Sequence, residues 1–411
     1  MKRIKHLVFL ILLVSFGAQA QVNVGENIQL KFHGYVAHEV IFDTYRSLDS
    51  RDGELYYYPL KAVFDDNGVD INKKSKLNMI EVQSRFGMQV KGPDVLGAKA
   101  TGLLEADFYG TNQSYVRMLR VRHAYVNLNW GKHELLAGST FHPAFVQDCF
   151  PSTVSFAAGV PFHPLNRSPQ LRYTFRPVPN FKVSASFLIH GYHRSSGPTE
   201  AQKNSGKPDS QLNVQFGDGK NVAIGLVAGY KWLTPRDVTN SGLETSETIG
   251  SYNVQAYLKY KLPFLSVKLE GMYGENLTNF VMIGGYGIKG VAGEVDENGD
   301  YSYANMRTMS AWADFETSTK LQLGLFAGYT SNLGSKDDYI VIPTYNRNDD
   351  LHYVYRLSPR LVYKVSNLSF GLEWSYVTAV YGREFDSKRK VTSDLDPVSN
   401  NHIIFQTKYS F

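Results

Sequence analysis

The chain has 411 residues, of which 43% are hydrophobic and 13% aromatic, with a formal net charge of +5 and a single cysteine, Cys149. One cysteine excludes a disulfide framework within the chain. After residue 20 no apolar run approaches the ~18–20 residues of a spanning helix, which excludes a helical membrane protein. Lys2, Arg3 and Lys5 carry much of the net charge, so the basicity gives no reason to expect nucleic acid as a partner.

The elements follow in chain order. MKRIKH is cationic, LVFLILLVSFGA is apolar, and Ala18-Gln19-Ala20 offers small residues before a cut. This is the layout of a secretory signal peptide over 1–20, with 21–411 left as one unit. From there apolar and polar residues alternate with period two, the mark of strands with one greasy and one wet face. Strand 1 is predicted over 29–43, with Leu30, Phe32, Gly34, Val36 and Val40 opposite Lys31, His33, Tyr35 and Glu39. A polar excursion leads to strand 2 over 78–91, where Ile80, Val82, Phe86, Met88 and Val90 oppose Glu81, Gln83 and Arg85. Strand 3 covers 98–110. Strand 4, over 115–130, loses its parity near the middle, which points to a bulge. Strand 5 covers 134–141.

A stretch rich in Pro and Phe rather than charge follows at 142–168. Strands 6 to 11 are predicted over 169–176, 181–193, 210–216, 221–233, 252–262 and 265–274. A glycine-rich stretch occupies 277–307. Strands 12 to 15 cover 308–316, 320–330, 352–364 and 368–382, with Pro359 a misfit inside strand 14. The last strand, 400–411, puts Ile403, Phe405, Thr407, Tyr409 and Phe411 on one face. His402, Gln406, Lys408 and Ser410 share the other with Ile404, its one apolar member.

Sixteen strands alternate long and short connections, and Trp232, Tyr260, Tyr329, Tyr363, Tyr409 and Phe411 gather at strand ends. A soluble sandwich hides its apolar face against a second sheet and needs neither feature. In lipid every backbone donor needs an internal partner, and a closed barrel is the β solution. The predicted fold is therefore all-β, a 16-stranded antiparallel transmembrane β-barrel of the outer-membrane porin type.

Four blocks carry a resemblance: SRFGMQVKGPDVLGAKATGLLEADFYG (84–110), LRVRHAYVNLNWGKHELLAGSTFHPAF (119–145), FHPLNRSPQLR (162–172) and YRLSPRLVY (355–363). They resemble blocks of Bacteroidetes outer-membrane porins and, more distantly, of the DcaP-like trimeric porins of Gram-negative bacteria. The resemblance implies a homotrimeric channel in the cell outer membrane, among lipid and lipopolysaccharide, with the third outer loop narrowing the lumen. The ending at Tyr409 and Phe411 resembles the C-terminal signal read by the barrel assembly machinery.

If the apolar parity faces lipid, the other parity lines the pore. That gives Arg85 from strand 2, Arg172 and Arg176 from strand 6, and Arg356, Arg360 and Lys364 from strand 14. Arg120 and Arg122 join them subject to the bulge. Glu39, Glu81, Glu105, Asp107, Asp314, Glu316 and Glu373 also point inward. Opposed charges across a lumen set a field that orients dipolar solutes and decides ion preference. The competing reading is that they pair and brace the wall, Glu105 and Asp107 with Arg120 or Arg122. The expected function is passive diffusion of small hydrophilic solutes, with small anions or carboxylates favoured and 142–168 as the constriction. The alternative is a structural or adhesive barrel without significant transport. No catalytic set, cofactor or metal site is predicted. His33 and His38 fall on opposite faces of one strand, and GGYGIKG (284–290) has no βαβ unit around it.

Overall fold

The computed structural model describes residues 21–290 and 296–411, the side chains of Gln21 and 341–344 excepted. The signal segment expected over 1–20 lies outside the described residues. Sixteen strands form the wall: β1 (Ile28–Asp43), β2 (Lys76–Ile80 and Arg85–Lys91), β3 (Lys99–Asp107), β4 (Arg120–Asn129), β5 (His133–Phe141), β6 (Arg167–Val178), β7 (Phe181–Leu188) and β8 (Asp209–Phe216). The second half comprises β9 (Val222–Leu233), β10 (Ile249–Lys261), β11 (Leu265–Glu275), β12 (Tyr303–Thr317), β13 (Leu321–Ser335), β14 (Leu351–Val365), β15 (Leu368–Phe385) and β16 (Val391–Ser410). Each pairs antiparallel with its neighbours, and β16 returns to β1 with Val36 opposite Tyr409 and Phe42 opposite Ile403. Closure leaves no free edge, so the wall satisfies its own backbone.

The alternation read from the sequence is the pleat of this wall. On β9, Ala223 and Val227 are fully buried inside while Ile224 and Leu226 stand exposed on the outer face. At the seam Gly34 and Phe411 exchange two backbone hydrogen bonds of 3.1 and 3.0 Å. A Cβ at Gly34 would lie 2.4 Å from the Arg85 carbonyl oxygen and 2.9 Å from the Phe411 ring, so only glycine lets the chain end dock there. Tyr409 and Phe411 are both more than half exposed, on the lipid-facing side.

Strand 2 departs from the expected parity. Between the Glu39–Ile80 and Tyr35–Arg85 pairs, β1 advances four residues and β2 five. The extra residue falls at 81–84, where Ser84 N–H donates to Glu81 O and Ser84 Oγ accepts from Ala37 N–H. A one-residue slip exchanges the two faces. Ile80 and Val82, expected toward lipid, are therefore fully buried inside the barrel with Ile41 and Ile404, and Glu81, expected inward, pairs with the exposed Arg117. The bulge expected in strand 4 is present: Glu105 pairs with His123 and Ala106 with Val121, leaving Arg122 as the extra residue. Pro359 is accommodated inside β14, where the register to β15 is the same on either side of it.

The connections also carry structure. Residues 44–75 form a hairpin of Ser47–Ser50 and Leu55–Pro59. The stretch expected to be a glycine-rich loop contains a strand, Gly284–Lys289, paired with β12 on one side and with Tyr339–Arg347 on the other. Its glycines answer to that close flanking: at Gly285, φ is +140° and a Cβ would meet the Tyr345 carbonyl oxygen at 2.3 Å.

Candidate functional site: the lumen

Residues 142–166, which join β5 to β6, run along the inside of the barrel. They are tied to inward side chains of the wall at many points, mostly through their backbone. Ala144 O accepts from Gln255 of β10, and Phe150 O from Lys268 of β11, both at 3.0 Å. Ser152 N–H donates to Asp314 of β12 at 3.0 Å, and Val154 N–H to Glu373 of β15 at 2.6 Å. Phe162 O accepts from Ser310 of β12 at 2.8 Å. His163 Nδ1 lies 3.1 Å from Glu270 of β11, and Asp148 accepts from Lys182 of β7 at 2.8 Å. A loop buried in a lumen needs partners for its peptide groups. Two inward acids read from the sequence, Asp314 and Glu373, are among those partners. Burial pushes the Cys149 thiol of this loop up to about 12, so it stays protonated.

A second feature is a cluster of arginines and carboxylates on β2, β3 and β4. Asp107 accepts from Arg120 at 3.0 and 2.7 Å and from Arg122 at 2.8 Å. Glu105 accepts from Arg122 at 2.6 Å, and Arg85 lies 3.6 Å away. Arg120 and Arg122, two residues apart, share the inward face and so meet two acids of the next strand, and the bulge lets His123 point inward beside them. The guanidinium planes lie over rings: Arg120 over Tyr109 at 4.8 Å, Arg122 over Phe156 at 5.3 Å and Arg85 over Tyr35 at 4.6 Å. Such stacking holds an arginine without occupying its hydrogen-bond donors.

The remaining predicted residues lie elsewhere. Arg172 bonds Gln170 and the Phe141 carbonyl, and Arg176 pairs with Glu134 at 2.7 Å. Both line a cavity of about 330 Å³ with Asp148 and Lys182. Arg360 grips Asp314 at 2.6 Å and reaches Glu316 at 3.2 Å. Arg356 lies over Phe326 at 4.6 Å and donates to the Val160 carbonyl. Both are almost wholly buried under the 142–166 segment. Arg85, Glu105, Asp107, Arg120 and Arg122 thus form one cluster, and the four remaining arginines occupy two other places.

Arg167 escapes the sequence reading, which begins strand 6 two residues later. It is 4% exposed, stacks on Phe141 at 4.4 Å and faces Arg120 and Arg122, with no carboxylate bonded to it among the described residues. Its signal is the NRSPQLR stretch, which continues the β6 alternation toward the outer end.

No protein-family model matches the chain, and no curated protein matches it. Solved structures do. The outer membrane channel DcaP of Acinetobacter baumannii superposes with a TM-score of 0.70 over 95% of this chain and 99% of that one, at 16% identity. The fold is that of an outer-membrane porin. An anion-selective porin from Comamonas acidovorans (TM-score 0.56, 9% identity, 93% and 100% covered) resembles it too. So does OmpT, an outer-membrane protein of Vibrio cholerae (0.55, 11%, 95% and 100%). At such identities the likeness is one of fold.

Within this porin fold the lumen holds more than the 142–166 segment. The hairpin of 47–59 folds inward as well. Leu55, Tyr56, Tyr57 and Tyr58 are buried in one apolar cluster with Phe145, Val160 and Phe162 of the longer segment and with Val377, Tyr381 and Val398 of the wall. Tyr56 stacks on His402 at 4.2 Å, and Tyr381 Oη donates to Pro59 O at 2.7 Å. The sequence pattern alone reads this stretch as a solvated excursion.

Proposed function

We propose that the chain forms a channel in the outer membrane of a Gram-negative bacterium, through which small hydrophilic solutes diffuse passively and small anions, carboxylates among them, are favoured. The 142–166 segment acts as its constriction. Segment 1–20 is removed on export, and Tyr409 with Phe411 at the seam is read by the barrel assembly machinery. A homotrimer in lipid and lipopolysaccharide is the assembly, in keeping with the trimer form of the Vibrio cholerae neighbour.

The observation that carries the anion preference is a local excess of cation over acid on β2 to β6. Arg85, Arg120 and Arg122 converge on only two acids, Glu105 and Asp107, while Arg167 on Phe141 and Arg172 at the cavity have no acid bonded to them among the described residues. A fixed positive field in a narrow, partly desolvated path lowers the energy of a passing anion and raises that of a cation. Reversal potentials of the purified protein in planar bilayers, under a potassium chloride gradient, test this. The expected sign is that of anion preference; a cation-selective reversal potential overturns it.

One observation favours the second reading, a structural or adhesive barrel. The apolar cluster joining 47–59 to 142–166 packs inside the lumen against β15 and β16. Liposome swelling with small solutes separates the two: swelling supports the channel, and its absence in correctly folded protein supports a sealed barrel.

A further inference from the structure

The 47–59 hairpin carries a buried acid that its packing does not require. Glu54 sits at the end of the hairpin turn, 2% exposed, and Oε2 accepts from Tyr109 Oη at 2.7 Å. Its carboxyl faces that of Glu39 on β1, itself 1% exposed, and the two interact directly. Glu39 Oε1 accepts from Gln83 at 2.9 Å and Gln406 at 2.6 Å. The remaining oxygens, Glu54 Oε1 and Glu39 Oε2, are buried without another partner. Two carboxyls brought together away from water cannot both ionise cheaply, and the burden falls on Glu54, which no cation meets.

The charged and titratable groups around the pair do not relieve it. Arg85 of β2 goes to Glu105, and Arg120 and Arg122 of β4 go to Asp107 and Glu105. Lys408 of β16 lies 5.2 Å from the Tyr35 ring of β1. Arg51 of the hairpin donates to the Thr111 carbonyl. Asp107 and Tyr109 at the end of β3 add negative charge or an uncharged phenol, and His402 of β16 is held by Asp43 at 2.8 Å. Among the described residues no cation forms an ion pair with Glu39 or Glu54. Burial, first, and the facing carboxyl hold Glu54 well above the usual carboxylate range.

We propose that the 47–59 hairpin is an acid-seated plug of the lumen: Glu54, buried in its protonated form beside Glu39, keeps it docked against β15 and β16, and loss of the Glu54 proton to solvent releases it outward. The seated form is favoured below the raised carboxyl range and lost as pH climbs through it, because two buried anions facing each other are then relieved only by hydration. The apolar face of Leu55, Tyr56 and Tyr58 sets how far pH must climb. This rests on the channel reading, whose regulation it describes.

The test measures the plug directly. Leu55→Cys in a Cys149→Ala background is buried when the hairpin is seated, and Asn67→Cys, exposed on the same connection, corrects for the intrinsic pH dependence of thiol labelling. With a membrane-impermeant maleimide, the corrected rate at Leu55→Cys should rise about tenfold or more from about pH 5.5 to about pH 8.5, since a one-proton equilibrium changes up to tenfold per pH unit. Adding Glu54→Gln, or Glu39→Gln where the first does not fold, should hold the rate low at both values. A flat rate in the parent, or an equal rise in both glutamine variants, overturns the plug. Conductance recorded in parallel separates the two ideas. Labelling that follows pH without conductance overturns the channel and keeps the plug, and a conducting channel with flat labelling overturns the plug alone.

Discussion

Asp107 is the wall residue on which most depends, and its replacement by asparagine tests the cluster. The carboxylate is fully buried and accepts three hydrogen bonds from two arginines, at 2.7, 2.8 and 3.0 Å. In Asp107→Asn the new amide would keep the shape and one carbonyl acceptor. It would lack the charge, and its amide hydrogens would point at a guanidinium. Hydrogen bonds to charged groups contribute about 1.5–3 kcal/mol each, and removing one partner of a buried ion pair costs about 3–5 kcal/mol because the other charge is left uncompensated. Glu105 still holds Arg122 at 2.6 Å, which limits the stranded charge to Arg120. The expected loss is therefore about 3–4 kcal/mol, toward the lower end of that range. Urea-dependent folding into phospholipid vesicles, followed by tryptophan fluorescence, measures it. The pairing with Arg120 is isolated by a double-mutant cycle with Arg120→Gln, whose coupling should account for most of the loss. A loss below about 1 kcal/mol, the range of exposed ion pairs, would show that water reaches the carboxylate and would refute the buried-brace argument.

Two further outcomes follow from the same geometry. Removing residues 147–160 takes away the anchors on Lys182, Lys268, Asp314 and Glu373; single-channel conductance should rise, and an unchanged conductance in folded protein refutes the constriction. In the β8–β9 turn, Asp218 accepts from the backbone N–H groups of Val222, Asn221 and Lys220, which hold its carboxyl at about 2. That support exists above the unfolded value near about 4 and disappears as pH falls through about 2. Asp218→Ala should thus unfold in urea more readily than the parent at neutral pH and equally at the acid limit; equal midpoints at neutral pH refute it.

The wall was legible because lipid and lumen impose opposite demands at every step of a strand, so β9, β10 and β13 to β16 declare their faces. Where the lumen itself is apolar the signal fails. Ile80 and Val82 are greasy because they meet Val154 and Tyr109 inside, and parity alone sent them to lipid. The pairing of Asp107 with Arg120 and Arg122 could be read from adjacent strands of like parity. The burial of Arg356 and Arg360 could not, since it depends on where residues 142–166 lie. The inward hairpin was hidden for a related reason: LYYYP is a short apolar island among charges, and nothing local says that the barrel mouth will cover it.

These failures share one cause. The lumen of a sixteen-stranded barrel is too wide for wall side chains to fill. Loops must enter it, and their peptide groups must find partners there. The wall supplies those partners from acids, cations and neutral groups alike: Asp314 and Glu373 accept loop N–H groups, and Gln255, Lys268, Ser310 and Arg356 donate to loop carbonyls. Each anchor removes a polar group of the wall from the open path. Arg167 and Arg172 bind rings, amides and carbonyls, with no acid bonded to either among the described residues. The field proposed to favour anions is thus local, set by these two arginines and by the β2–β4 cluster, where three arginines meet two acids. The proposed anion preference then follows from packing as much as from any residue placed to bind a solute.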